Sequence, residues 1–263
     1  MFAAVLIACS DDGIGKFDRA TLSQQTLMEL FIFGLDKASE ICGSRENPAD
    51  ISEWRGLSCD SHGHVRSFTY ACQQEHGTGT LGFEFLPRSL RSLKMFRNAL
   101  SGTIQLDHLP KKMQLLALSQ NQLTGSLNLE SLPFAMLSLG LRENKFTGQI
   151  SLENLPKKLA SLHLQKNQLS GPLCLTSLPQ ALEQLDLSNN HFEGSLDFTK
   201  LPNSMAGISV SNNAFSGTID LGNLPKGLMS LAANGNKISG TVHVPAGLTI
   251  KLHANDGLTV EMM

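Results

Sequence analysis

An asparagine returns every 23 residues through most of the chain, from Asn98 to Asn236. The members between them are Asn121, Asn144, Asn167, Asn190 and Asn213. A fixed step of this kind indicates one structural unit copied in tandem, because each copy places the same side chain at the same point. Seven such units fill residues 86–246. Stacked copies of a short unit make a solenoid, in which each unit contacts only its neighbours.

The apolar residues around each asparagine follow one spacing, Leu-Pro-x-x-Leu-x-x-Leu-x-Leu-x-x-Asn-x-Leu-x-Gly-x-Leu-x-Leu. Alternation such as Leu116-x-Leu118 places two side chains on one face of a short strand. Stacked copies of that strand predict a parallel sheet along one side of the coil. The predicted strands are residues 92–96, 115–119, 138–142, 161–165, 184–188, 207–211 and 230–234.

The other repeated positions predict how the chain turns back over its core. An inward asparagine can bond backbone groups that the bend leaves unpaired, both in its own coil and in the adjacent one. The glycine four residues later, from Gly102 to Gly240 in every unit, suits a tight bend. The prolines from Pro87 to Pro225 lack an N–H and are expected on an irregular convex return, outside the strands.

Two stretches carry a resemblance to a known family. The repeat, with Leu-x-x-Leu-x-Leu-x-x-Asn-x-Leu-x-Gly, resembles plant-type extracellular leucine-rich repeats, and its Leu-Pro opening is similar to leucine-rich-repeat proteins of kinetoplastids and other protists. Trp54-Arg-Gly-Leu-Ser-Cys59, followed by Gly63-His-Val65, resembles the N-terminal cap of the plant-type proteins. The resemblance implies an α/β solenoid: a curved, right-handed leucine-rich-repeat coil with a parallel concave β-sheet and a helical N-terminal cap.

The chain divides by these patterns into a cap, an array and an end segment. Residues 11–85 are expected to form the cap and a first divergent repeat, residues 86–246 the seven 23-residue repeats, and residues 247–263 a partial repeat or C-terminal cap. Within the cap, an apolar stripe from Asp18 to about Ala38 predicts a helix, with Thr21 or Asp18 as its N-terminal cap. Such a helix would cover the apolar end of the first coil.

Residues 1–10 leave two interpretations open. Their apolar run and the small residues Ala8 and Ser10 fit the remnant of a secretory signal peptide, but no basic residue precedes the run, as in a plain N-terminal segment. No GPI signal is visible after the last repeat. We expect a secreted or cell-surface protein, and an intracellular location stays open.

The five cysteines do not form a recognisable disulfide framework. The plant-type cap has a cysteine two residues before the tryptophan, where this chain has Ser52. The resemblance therefore implies that Cys42 replaces it as the disulfide partner of Cys59, with free thiols as the alternative. No Cys-x-x-Cys spacing points to zinc.

Charge and motifs argue against several classes of function. A net charge of −2 gives no general attraction to nucleic acid, and no apolar run is long enough for an integral membrane segment. The glycines of residues 77–82 match a nucleotide-binding pattern without a following helix. Residues 11–17 resemble only the middle of a calcium-binding loop. We therefore expect no enzyme activity, no cofactor and no metal site.

The variable residues that flank Leu-x-Leu are left as the candidate contact surface. They point away from the core, and those in the N-terminal half of the array are the more charged and apolar. A protein or peptide partner on the concave face would contact Lys94, Phe96, Arg97, Leu115, Arg142, Glu143, His163 and Lys166. The sequence thus predicts a non-catalytic protein-interaction module.

Two alternatives compete with that prediction. Hydroxyl residues flank the repeat glycine in two rows, and regular hydroxyl arrays can order water, as in ice-binding solenoids. The rows are Ser101, Thr124, Thr147, Ser170, Ser216 and Ser239 before the glycine, and Thr103, Ser126, Ser195, Thr218 and Thr241 after it. The other alternative is a structural or inhibitor protein with no signalling role.

Overall fold

The computed structural model describes residues 21–245 and 247–262, and the candidate signal segment 1–10 lies outside them. Ten short strands form the front sheet, in chain order. They are β1 (Leu57–Cys59), β2 (Val65–Thr69), β4 (Ser92–Lys94), β6 (Leu115–Ala117), β8 (Ser138–Gly140), β10 (Ser161–His163), β12 (Gln184–Asp186), β14 (Gly207–Ser209), β16 (Ser230–Ala232) and β18 (Thr249–Lys251).

The front sheet contains the predicted Leu-x-Leu strands. From β4 to β16, each strand pairs in parallel with its copy in the next coil, residue for residue at the 23-residue step, as Leu116 pairs with Leu139. The strands have three residues, fewer than the predicted five. Backbone hydrogen bonds between coils continue past them, as from the Met95 N–H to the Ala117 carbonyl at 2.9 Å. β1 is the exception in this sheet, since it pairs antiparallel with β2 at the N-terminal edge.

A second parallel sheet, the back sheet, takes up the first part of the return that the sequence predicted to be irregular. Its strands are β7 (Thr124–Gly125), β9 (Lys145–Gln149), β11 (Gln168–Pro172), β13 (His191–Gly194), β15 (Ala214–Gly217), β17 (Lys237–Val244) and β19 (Gly257–Met262). A two-stranded sheet of β3 (Gln74–Gly79) and β5 (Asn98–Leu100) precedes it. The repeat prolines Pro87 to Pro225 do lie outside the strands.

The back sheet forms because the segment after each asparagine is extended and repeats in register. In β9, Phe146 is buried while Lys145 and Thr147 are exposed, so the segment alternates as a strand does. Once the front strands fix the register, the same segment of successive coils lies side by side and its backbone groups pair. The front and back sheets enclose one continuous apolar core, which runs from Met28 to Leu252.

The asparagine column lies at the bend between the sheets and joins adjacent coils. The Nδ2 of Asn121 donates to the carbonyl of Leu118 in its own coil at 2.9 Å and to that of Met95 in the preceding coil at 2.9 Å. Its Oδ1 accepts from the Leu100 N–H at 3.1 Å. The same pattern recurs at Asn144, Asn167, Asn190, Asn213 and Asn236.

The column has an eighth member that the 23-residue step missed. Asn255 follows Asn236 after 19 residues, and its Oδ1 accepts from the Ile238 N–H at 3.1 Å. The signal was present in the sequence, because Ile250-x-Leu252-x-x-Asn255 keeps the spacing of the two strand residues and the asparagine. Only the return segment of that coil is shorter.

The N-terminal segment contains less helix than predicted. The helices are α1 (Gln24–Ile32) and α2 (Ser39–Cys42). The N-terminal cap of α1 is Ser23, whose side chain accepts from the Thr26 N–H at 3.0 Å, and so the expected cap at Thr21 is wrong. Asp18 lies outside the described residues.

The predicted helix from Asp18 to about Ala38 ends early, at Ile32, because the backbone after it pairs with the first coil. The carbonyl of Gly34 accepts from Thr80, and the Asp36 N–H donates to Thr78. The Phe31 ring packs edge-on against Phe68 of the first coil, with 6.3 Å between ring centroids. Short 3₁₀ turns lie at Ile51–Glu53, Phe83–Phe85, Leu106–His108 and Leu129–Ser131.

The expected Cys42–Cys59 disulfide is absent, and both thiols are free. Cys42 is buried at the end of α2, where its Sγ donates to the Ala38 carbonyl at 3.3 Å, while Cys59 belongs to β1. Burial raises the pKa of both thiols. A raised pKa keeps them protonated and weakly reactive.

Candidate functional site

The outward face of the front sheet is a grid of variable side chains. The two core residues of each coil point inward, so the residue between them and those on either side face outward. Parallel pairing in register aligns these positions between coils, as Lys94 pairs with Ala117 and Ala117 with Gly140. Side chains that are 23 residues apart in the sequence therefore become neighbours on this face.

One shallow cavity on this face unites three of the predicted contact residues. It has a volume of about 270 Å³. Its lining residues are Phe96, Arg97, Ala117, Ser119, Gln120 and Arg142. Phe96 and Arg142 are partly buried, Arg97 is exposed, and Lys94 lies beside Ala117 in the neighbouring strand. The cavity thus has a floor of small residues, an aromatic wall and a cationic rim. We call it the arginine cavity.

The two arginines on the rim make few hydrogen bonds within the chain. The Nε of Arg97 donates to the Oε1 of Gln120 at 2.7 Å, which orients the guanidinium. Among the described residues, no acidic oxygen lies within 4.0 Å of Arg97. The nearest acidic contact of Arg142 is a long one, 3.9 Å from its Nη1 to the Oε1 of Glu143. A guanidinium has five N–H donors, so both leave donors directed at solvent.

Glu143 and Lys166 belong to a polar row beside the cavity. The row consists of the residues just before the asparagines of the column. The backbone of these residues is left-handed, with φ 60° at Gln120 and 56° at Glu143. Glu143 accepts from Gln120 at 3.1 Å and from the Lys166 Nζ at 3.4 Å. The Gln120 hydrogen bond and the two nearby cations lower the pKa of Glu143. Its charge is therefore matched within the row.

His163 lies in a separate depression on the same face. This depression has a volume of about 340 Å³ and extends over later coils to Lys251. Burial lowers the pKa of His163, an effect to which Arg142 adds and which Asp186 opposes. Asp186 also accepts from the Ser188 hydroxyl at 2.6 Å. His163 therefore lies outside the cavity of the two arginines, although the charge of Arg142 still acts on it.

An apolar strip next to the cavity was only partly visible in the sequence. Leu115, a predicted contact residue, is partly buried at the start of β6. In the next coil, Leu137 is 41% exposed and Phe134 is 71% exposed. The sequence signal was their position, since the corresponding residues of most other repeats are polar or small. We call Leu115, Leu137 and Phe134 the apolar strip.

From Thr124 to Ser239, the first hydroxyl row lies in the strands of the back sheet, whereas most of the second row lies just after the ends of those strands. Most of these side chains are exposed, but Glu193 interrupts the first row, and Gln149 and Pro172 interrupt the second. Part of the first row is used within the fold, because the Thr124 hydroxyl donates to the Gly102 carbonyl at 3.2 Å. The rows are therefore regular over only a few coils at a time.

The described part of the chain contains no group of three or more His, Cys, Asp or Glu side chains that could hold a metal ion. None of its helices is long and apolar enough to cross a membrane.

Comparisons with known proteins agree on the fold. The Leucine Rich Repeat family model matches residues 181–207. The crystal structure of a plant ice-binding protein is similar, with a TM-score of 0.63 and 20% identity over 83% of this chain and 80% of that one. At that identity the likeness concerns the fold alone. No curated protein matches this chain.

A second similar structure is a leucine-rich-repeat ectodomain from Arabidopsis thaliana. It belongs to the plant membrane receptor kinase GASSHO1/SCHENGEN3, in complex with CASPARIAN STRIP INTEGRITY FACTOR 2. The TM-score is 0.56 and the identity 30%, over 65% of this chain. This chain spans 22% of the length of that ectodomain.

Proposed function

We propose that this chain, a solenoid similar in fold to the leucine-rich-repeat ectodomain of a plant receptor kinase, is a non-catalytic protein-interaction module. Its partner contacts the N-terminal half of the front sheet. The observation that carries the proposal is the arginine cavity, in which Phe96, Arg97 and Arg142 converge from alternate coils of a rigid sheet.

Elementary energetics support this choice of face. Aromatic and arginine side chains dominate the binding energy of protein interfaces, because they combine apolar area with directed hydrogen bonds. Here they are supported by two sheets and one continuous core, so that binding orders little backbone. Lys94, Leu115, Glu143 and Lys166 form the surroundings of the cavity, and His163 marks the C-terminal limit of the proposed contact.

The same proposal includes finer points of architecture and location. We propose a right-handed, curved coil whose concave face is the front sheet, with α1 and its neighbours acting as the N-terminal cap over residues 11–85. The repeats span residues 86–246, and residues 247–263 close the array. A secreted or cell-surface location fits a fold shared with a receptor ectodomain.

The test is a pull-down from culture medium and surface extract with the wild-type protein and a Lys94→Glu, Phe96→Ala, Arg142→Glu variant. The three substitutions leave the buried core unchanged, and we expect the variant to lose partners that the wild type recovers. A matched control, Lys145→Glu with Lys237→Glu, changes exposed charges on the back sheet and keeps the partners. Recovery of the same partners by all three proteins would refute the front-face assignment.

A water-ordering function is the second candidate, and the exposed hydroxyl rows of the back sheet favour it. The interruptions at Gln149, Pro172 and Glu193 count against it, since an ordered water layer needs a regular surface. The test is inhibition of ice recrystallisation by the purified protein. Activity that disappears on Thr147→Tyr and Thr218→Tyr would support the ice-binding alternative, and inactivity of the wild type would remove it. A structural or inhibitor role predicts partners that bind without any dependence on the arginine cavity.

A further inference from the structure

We infer that the front sheet recognises an extended acidic peptide, with a carboxylate of the peptide in the arginine cavity and an apolar side chain on the apolar strip. This inference rests on the proposed function and specifies the chemistry of its partner. It combines charge, unpaired polar groups and exposed apolar surface that adjacent coils contribute.

The charge balance of the cavity calls for an anion. Arg97 and Arg142 flank it with most of their N–H donors unbonded, and Lys94 lies beside it. The acidic neighbour, Glu143, already accepts from Gln120 and Lys166. A carboxylate accepts two parallel N–H bonds from a guanidinium, and such charge-assisted pairs are stronger than neutral hydrogen bonds. A carboxylate placed between the two arginines would therefore complete the site.

Unpaired polar groups next to the arginines give an independent indication of a ligand. Ser119 lines the cavity, and its hydroxyl, which is accessible to solvent, makes no hydrogen bond with the described residues. One coil beyond Arg142, at the matching position, the Oε1 of Gln165 is buried without a partner. Buried polar groups are nearly always paired in native proteins. A ligand carboxylate can accept from Ser119. Gln165 lies outside the cavity, and its Oε1 can accept from a peptide N–H only when its side chain turns outward.

The apolar strip indicates a peptide in place of a small anion. Leu115 pairs in register with Ser138, the residue that follows Leu137, so both leucines lie at the same rim of the sheet in adjacent coils. Leu137 and Arg142 are five positions apart along the chain. At about 3.3 Å per residue, the strip and the arginines are roughly 16 Å apart. An extended peptide covers that span when its apolar and acidic side chains are about five positions apart.

The experiment selects binders from a library of random dodecapeptides displayed on phage, with the wild-type protein as bait. We expect enrichment of an Asp or Glu about five positions from a large apolar residue. Selection on Arg97→Gln, Arg142→Gln should lose the acidic preference, and selection on Phe134→Ser, Leu137→Ser should lose the apolar one. The control bait, Lys145→Gln with Lys237→Gln, should reproduce the wild-type motif.

A direct titration tests the same point without altering the protein. A synthetic copy of the most enriched peptide should bind the wild type at least about tenfold more tightly than the same peptide with its acidic residue replaced by the matching amide. Equal affinities, enrichment without an acidic residue, or no enrichment at all would overturn the inference. If the triple variant still loses its partners in the pull-down, the contact face stands and only the assigned chemistry fails.

Discussion

At the scale of single residues, each asparagine of the column forms hydrogen bonds with backbone groups of two coils through one short side chain. Asn144 accepts from the Leu123 N–H at 3.1 Å and donates to the carbonyls of Leu118 and Leu141, both at 3.0 Å. Lys145 is exposed on the back sheet, where its Nζ contacts the Gln122 side chain at 3.3 Å. Adjacent residues in the sequence therefore have very different energetic roles.

We expect Asn144→Ala to lower the free energy of unfolding by about 1–3 kcal/mol more than Lys145→Ala. The reason is that alanine leaves buried N–H and C=O groups without partners, whereas the lysine position is solvated. Urea unfolding of both variants measures the difference. Equal unfolding midpoints and equal slopes for the two variants would show that the Asn144 side chain does not stabilise buried backbone groups.

Protonation of His163 should oppose folding. Burial lowers its pKa in the folded state below the ordinary value of 6.5, so the unfolded chain binds the proton more readily. The resulting stability is fully present above pH 6.5 and is lost as the pH falls from there toward the folded-state pKa. An NMR titration of the imidazole should give a midpoint below 6.5, and His163→Gln should flatten the stability profile in that window. A midpoint at or above 6.5 would show that Asp186 outweighs burial.

At the scale of elements, the back sheet depends on its glycines. Gly125 has a φ of +90°, and a Cβ atom there would lie 3.0 Å from the Thr103 Cγ2 of the preceding coil. The residue after the glycine in one coil thus packs over the glycine of the next. This packing gives the second hydroxyl row a structural reason, independent of any role in ordering water.

Gly125→Ala should destabilise the protein by about 1–2 kcal/mol, because alanine disfavours the left-handed backbone and its methyl group meets Thr103. Gly227→Ala is the matched control. Its φ lies outside the left-handed region, and a Cβ atom there would be 3.9 Å from its nearest neighbour, the carbonyl of Asn203. We expect the control to stay within about 0.5 kcal/mol of wild type in thermal or urea unfolding. Equal destabilisation of both variants would contradict this account.

At the scale of the whole molecule, the array is held together by contacts between neighbouring coils. Each front strand pairs only with the strand before and the strand after it, and each asparagine reaches back by one coil. Stability in such an array is close to a sum of local and nearest-neighbour contributions. Damage to one coil should therefore remain local.

Hydrogen exchange can test this locality. Asn167→Ala removes the acceptor of the Phe146 N–H and the donor to the Leu141 carbonyl. We expect faster exchange in the coil of Asn167 and in the preceding coil, with unchanged protection around Ile238, three coils away from Asn167. A uniform loss of protection along the chain would instead show that the array unfolds as one cooperative unit.

The sequence by itself determined the coil, its core and the front strands. A copied Leu-x-Leu-x-x-Asn pattern leaves one way to bury the leucines and pair the backbone at the bend, so Leu116 and Asn121 could be placed from their spacing alone. Features that depend on how coils meet could not be placed in this way. The back sheet arises from register between coils, because an extended segment gains its hydrogen bonds only from its copies.

The tertiary structure also decided which outward residues act together. Phe96, Arg97 and Arg142 come from coils that are two repeats apart, and they converge only because the sheet stacks coils at one register. His163 was predicted with them but lies in a different depression. The end of α1 at Ile32 and the free thiols of Cys42 and Cys59 likewise follow from contacts with the first coil and from local burial. Spacing along a chain determines which side chains point outward, whereas the neighbours of each side chain depend on distances that only the folded stack creates.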